Sequence, residues 1–201
     1  MRARPDGFLP IDVLCEREFG LAAATGFTLF AGYLIMVFAA PLLIDDGRHL
    51  SSITVGLVLL PARLVSVAVS RAAGTVVRRT GPWPLATALA IASTCGLLLA
   101  AAAGRTPVAV VASLAACVAG FSAGQVTLMA ALPGIVTASR QGVATGLFQL
   151  VFITGGSIGA AGVGALVAVL DLRTALALLA PLPAAGVVLA RLGRRSRRRR
   201  R

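Results

Sequence analysis

Lysine is missing altogether from the 201 residues, so every one of the 19 basic side chains is an arginine. Acids are scarce as well, 7 against those 19, and the formal net charge is +12. Soluble domains carry roughly 25% charged and 45–50% apolar residues. Here the charged share is 13%, the apolar share 58% and the mean hydropathy +0.92. That balance excludes an ordinary water-soluble domain. Cysteine is nearly absent: Cys15, Cys95 and Cys117 are odd in number and far apart, which supports neither a disulfide framework nor a metal knuckle. The last two lie in apolar runs and read as small hydrophobes. The lone His49 reads as a solvated loop residue. No nucleophile triad, phosphate loop or metal-ligand cluster is present, so an enzyme reading has nothing to rest on, and no cofactor is expected.

Long apolar runs are what the chain has in quantity. About 20 apolar residues cross a hydrocarbon core of about 30 Å, and six runs qualify: residues 20–44, 53–77, 85–103, 108–132, 142–170 and 174–192. They predict an all-α polytopic membrane protein, a six-helix bundle with no separate soluble domain. Residues 1–18, mixed in charge and carrying Pro5 and Pro10, are expected to form an interfacial arm. Residues 19–192 form the membrane domain and 193–201 an Arg-rich tail. The start is no cleavable signal, because Asp6, Asp12, Glu16 and Glu18 interleave with the arginines and the first run is too long. Ser51 and Ser52 are placed to cap the second helix, Pro61 to interrupt it, and Pro181 and Pro183 to bend the sixth.

Orientation follows from arginine counts in alternate segments. One side receives Arg2, Arg4, Arg17, Arg71, Arg78, Arg79, Arg140, Arg191 and the tail; the other receives only Arg48, Arg105 and Arg173. Both termini are therefore expected in the cytoplasm, with the spans in the cell membrane. Arg63 alone falls inside the bilayer, where a charge costs about 2.5–3.5 kcal/mol or more and needs a wet cavity or a partner. An Arg that faces a substrate or anion and an Arg that snorkels beside Pro61 both fit. No Asp or Glu falls inside the six predicted spans, so an acid for proton coupling would have to come from elsewhere.

Between the second and third runs lies Gly74 to Trp83, a basic turn. Its Gly74, Arg79 and Gly81 match a signature of major facilitator transporters, Gly-x-x-x-Asp-Arg-x-Gly-x-Arg/Lys, with Arg78 standing where the Asp is expected. Leu50-Ser51-Ser52, Gly56 to Pro61 and Arg79-Thr80-Gly81-Pro82 follow in the order seen in the C-terminal half of fourteen-helix drug:proton antiporters, the branch that includes tetracycline exporters. Gly142 to Leu150 and Gly155-Gly156-Ser157-Ile158-Gly159 resemble that branch's penultimate helix. The resemblance implies one half of a major facilitator fold, and a turn whose acid takes part in a latch favouring one access state. Arg78 cannot be that acceptor. A plain positive-inside anchor explains the turn equally well. Physically, Gly74 would allow close helix approach and Gly81 a tight reversal, while Arg79 would meet lipid phosphates.

Gln125 and Gln149 are the other long polar side chains in the spans. They could line a substrate path or hydrogen-bond between helices. Gly156 and Gly164, with Gly155 and Gly159 beside them, form a small-residue face, as do Gly120 and Gly124; close helix packing is their expected role. The tail is expected on anionic lipid and not on nucleic acid. The resemblance thus implies efflux of small hydrophobic or cationic compounds by alternating access. A half-length unit would need an N-terminal half on another chain or a homodimer. An inactive fragment, or a non-transporting membrane interaction protein, is the alternative.

Overall fold

In hydrocarbon every backbone N–H and C=O must be satisfied within the protein, and for apolar runs of this length helix is the solution. The computed structural model describes residues 16–45, 51–103 and 106–199, the side chains of the last two excepted, and these residues are helical apart from short links. The arm before residue 16, the loop with Arg48 and His49, the link with Arg105 and the end of the tail lie outside them.

The helices are α1 (Arg17–Asp45), α2 (Ser52–Thr80), α3 (Pro82–Ala103), α4 (Pro107–Met129), α5 (Gln141–Val167), α6 (Leu172–Leu179) and α7 (Pro181–Arg199). Two short 3₁₀ turns, Leu132–Gly134 and Ala138–Arg140, join α4 to α5. Six segments are long and apolar enough to span a membrane, the sixth being α6 and α7 together. The chain is an all-α, multi-pass six-helix bundle.

Local chemistry sets the ends. Ser51 Oγ accepts the Thr54 N–H at 3.2 Å and opens α2. Gly81, at φ +82°, closes it and donates its N–H to the Val77 carbonyl at 2.8 Å. That left-handed conformation suits glycine and lets α3 begin at Pro82 without a spacer. Pro61 sits inside α2, which is assigned as one helix through it; the proline leaves the Leu57 carbonyl without its helical donor. The sixth span divides where Pro181 follows Ala180, and the proline becomes the first residue of α7, a position that needs no donor.

Two expected boundaries move. The sixth span continues past residue 192 to Arg199, because arginine is a good helix former and its long stem carries the charge clear of the apolar zone. At the other end α1 begins at Arg17, and Glu18 is buried at 5% exposure in its first turn. That places a buried carboxylate at the N-terminal end of α1, two residues before the apolar run, and leaves the run itself without an acid.

Packing repeats itself. The extensive contacts of α1 with α5 are answered by those of α2 with α4, and α1 against α7 by α4 against α3. α1 also meets α4, and α3 meets α6 and α7. Exchanging the first three spans for the last three preserves this pattern, and successive spans alternate in direction, so the bundle is a 3+3 inverted repeat. Phe19, Trp83, Phe148 and Phe152 anchor one core near the arginine-rich end, while Ile35, Leu97, Leu114 and Leu176 anchor a second toward the other. The outliers are α2 and α5. α2 buries only Ala62, Ser66 and Ala73 and exposes a stripe at helical spacing, Ile53, Leu57, Leu60, Leu64 and Val67. Hydroxyls within the spans mostly turn back on their own helix, as where Thr127 donates to the Ala123 carbonyl at 2.6 Å and Thr25 to Leu21 at 2.7 Å, which removes a polar cost in hydrocarbon.

Candidate functional site

Arg63 lies about 17 Å along α2 at 1.5 Å per residue, on its exposed side. Its Nη1 donates to the Tyr33 hydroxyl on α1 at 3.0 Å, and its guanidinium carbon stands 5.7 Å from the centre of the same ring. The contact falls within the roughly 6 Å reach of a cation–π interaction. A phenol oxygen and a π face thus make a mid-span charge tolerable. Five N–H donors belong to a guanidinium; one is used, and no other described side chain accepts from the rest.

Tyr33 is the edge of an aromatic cluster. Its ring lies 4.4 Å from Phe121 of α4 and 5.6 Å from Phe30, one helical turn back on α1. Phe30 stacks on Phe121 and on Phe152 of α5, both at 4.9 Å, and Phe148 meets Phe152 at 5.6 Å. Phe148 and Phe152 are fully buried and form the floor, while Phe30, Tyr33 and Phe121 keep part of their surface open. Glycines make room for the rings. A Cβ at Gly156 would meet Phe30, and one at Gly26 would meet Phe152 and Phe148.

Gln125 follows Phe121 by one turn and Gln149 precedes Phe152 by one. The two amides meet, Gln125 Nε2 donating to Gln149 Oε1 at 3.3 Å, and tie α4 to α5. Arg63 thus joins the ring cluster through Tyr33, while Gln125 and Gln149 pair one turn away from Phe121 and Phe152 along α4 and α5. The sequence did not show the rings. Their only trace was spacing, with Tyr33 three residues after Phe30 and Phe121 four before Gln125.

The remaining glycines divide. Gly155 and Gly159 bring α5 onto the α1 backbone, where a Cβ would fall on Phe27 or Ala31; Gly120 faces Ser93, and Gly124 faces Leu29. Gly164, expected on the same packing face, has nothing within 4 Å of a Cβ and is exposed. It lies beyond the segment where α5 crosses α1, so repeat spacing alone misplaced it. Gly74 also has nothing within 4 Å, so no described helix makes the close approach expected there. In the basic turn, Arg78 and Arg79 end α2 and Gly81 reverses the chain. Gly193 of α7, unremarked in the sequence, lies flat against Trp83, whose ring a Cβ would overlap. Among the described residues no group of three or more His, Cys, Asp or Glu converges to hold a metal.

What the geometry offers is a guanidinium set on a cluster of rings partway along a membrane bundle, with an amide pair one turn further along α4 and α5 and, among the described residues, no paired nucleophile and base. Compared with curated proteins, the chain has no match. The sequence profile of the Major Facilitator Superfamily, a family of membrane transporters, matches residues 2–160. A bundle of six spans agrees with that match, and the chain belongs to the Major Facilitator Superfamily.

Proposed function

We propose that this bundle is one half of an exporter of the drug:proton antiporter kind, working on small hydrophobic compounds by rocking against a second six-helix unit. The observation that carries the reading is the patch of Arg63, Tyr33, Phe30 and Phe121 on an open mid-span face. Binding near the midplane at the seam between two repeats is how secondary transporters alternate access. Stacked rings suit flat apolar cargo, and the two glutamines add a short polar edge. A cationic cargo would meet Arg63 first, so it requires its acid from the complementary unit.

Two features support pairing with a second unit. α2 presents its Ile53-to-Val67 stripe, with Leu64 63% exposed, and α5 presents Leu150, 64% exposed, and Ile153. Either a complementary half or a second copy of this chain could occupy those faces. Both termini and the Arg78 turn sit on the cytoplasmic side of the cell membrane, as the arginine asymmetry directs.

The test is accumulation of a lipophilic aromatic dye in cells expressing the chain, its Arg63→Ala variant or an empty vector. Wild type is expected to lower accumulation and Arg63→Ala to restore most of it. Equal accumulation in all three sinks autonomous transport. Blue-native sizing of the same membranes is expected to show a species larger than one chain, and a strict monomer counts against the paired unit.

A further inference from the structure

The basic turn and the C-terminal helix, far apart in sequence, border one open cavity. Its volume is about 560 Å³, and Arg78, Arg79, Arg194 and Arg197 line it together with Thr80 and Trp83. Each pair has a local cause. Arg78 and Arg79 occupy the last turn of α2, where cations favour the negative end of the helix dipole. Arg194 and Arg197 are three apart on α7 and so share a face. The register between the two elements is set by Gly193, which seats α7 directly on the Trp83 ring. Trp83 itself is only 3% exposed, so the contact is part of the core, and the next residue of α7, Arg194, is delivered to the cavity rim.

Among the described residues no carboxylate lines the cavity. None of the four guanidiniums makes a hydrogen bond or ion pair with a described side chain, whereas Arg63 in the spans has Tyr33. Four like charges gathered round one space repel one another unless an anion joins them. Guanidinium forks fit phosphate oxygens in a bidentate way, and Trp83 with the neighbouring prolines gives one wall an apolar character. Basic pockets between membrane helices are suited to lipid headgroups.

The geometry points to a phosphate-binding site between the α2–α3 turn and α7, which takes a phosphate-ester headgroup, best one carrying two negative charges. The Arg78 that replaces the expected acid is what makes the cavity wholly cationic. A bound anion clamps α7 to the end of α2, so the tail helix and the turn move as one body. The site does not depend on what the bundle transports.

Trp83 is the only tryptophan of the chain and lines the cavity, so its fluorescence reports occupancy. The full chain in neutral detergent is titrated with diphosphatidylglycerol, phosphatidylcholine and inorganic pyrophosphate in separate arms. Diphosphatidylglycerol is expected to give a saturable change that Arg194→Gln/Arg197→Gln weakens by about thirtyfold, and that phosphatidylcholine does not give. Arg78→Gln/Arg79→Gln, on the other wall, is expected to act likewise, so the test survives if one double variant fails to fold. Arg17→Gln/Arg71→Gln removes the same charge from exposed arginines outside the lining and is expected to change the midpoint little. Saturation by pyrophosphate with the same arginine dependence assigns the phosphate to a soluble source; saturation by the lipid alone assigns it to a headgroup. No saturable change, an equal response to phosphatidylcholine, or an equal loss from Arg17→Gln/Arg71→Gln overturns the site.

Discussion

Gly159 offers the most direct measure of how the bundle is held. In Gly159→Ala the new Cβ would stand 2.5 Å from the Ala31 carbonyl oxygen and 2.9 Å from its Cα, where ordinary contact begins at 3.4 Å. Backbone cannot swing aside as a side chain does, so α5 and α1 must part by roughly 1 Å, enough to forfeit a quarter to a half of each affected dispersion contact. Overpacking of this kind costs about 1–3 kcal/mol. Replacing a helical glycine by alanine returns about 0.5–1 kcal/mol, which leaves a net loss of about 1 kcal/mol at mid-range and up to about 2.5 kcal/mol for backbone that cannot yield. For a chain of this size the loss lowers the midpoint of thermal unfolding by about 2–4 °C per kcal/mol. Cys117 is buried and Cys95 exposed, so a thiol-reactive fluorophore follows unfolding through Cys117 in a Cys15→Ser/Cys95→Ser background. Gly164→Ala is the control, because open space surrounds that position; only the helix-propensity gain remains, and its midpoint is expected to hold or rise. An unchanged midpoint for Gly159→Ala, or an equal fall for Gly164→Ala, would refute the backbone-on-backbone contact.

Two further outcomes follow. The Gln125–Gln149 bond should couple its partners: each single Leu substitution costs about 0.6 kcal/mol, up to about 1.7, and the double substitution costs less than the sum, because neither amide is left unpaired. Strictly additive midpoints in the same thiol assay would show that the amides do not meet. Asp171 caps α6, accepting from Thr174 Oγ1 at 2.6 Å and from its N–H at 3.1 Å, and those bonds hold its carboxyl below the ordinary carboxylate range. Because the folded state binds the proton less tightly than the unfolded state, the cap's contribution is full above the ordinary Asp range. It is lost as pH falls through the depressed value. The protection of the Thr174 amide, its exchange rate taken relative to the unfolded chain at the same pH, should therefore fall on acidification in the wild type and far less in Asp171→Asn; parallel protection curves for the two would argue against the cap.

Hydropathy made the six spans legible because a helix rises a fixed 1.5 Å per residue against a membrane of fixed thickness. The Ser51 cap and the Gly81 reversal were legible too, being chemistry between residues a few positions apart. The aromatic patch was not. Phe30, Phe121 and Phe152 belong to three helices, and nothing local in the sequence fixes which face of each helix meets the others. Gly159 and Gly164 show the same limit: both fit a small-residue repeat, and only the crossing of α5 over α1 separates them. The burial of Glu18 was not legible, because composition marks where charge becomes dense, whereas burial at a helix end depends on which neighbour covers it.

The inverted repeat is symmetric in topology and unequal in grip. α5 buries seven residues, among them Gly155, Gly156 and Gly159, and meets α1 backbone to backbone; α2, its counterpart, buries three small residues against α4. Fewer buried contacts mean a lower cost of local displacement. One seam of the bundle is therefore stiff and the other compliant, and Arg63 rides on the compliant side. A tug on that guanidinium would travel into a helix able to slide, toward the arginine cluster at its far end, while α1 and α5 stay together as the fixed frame.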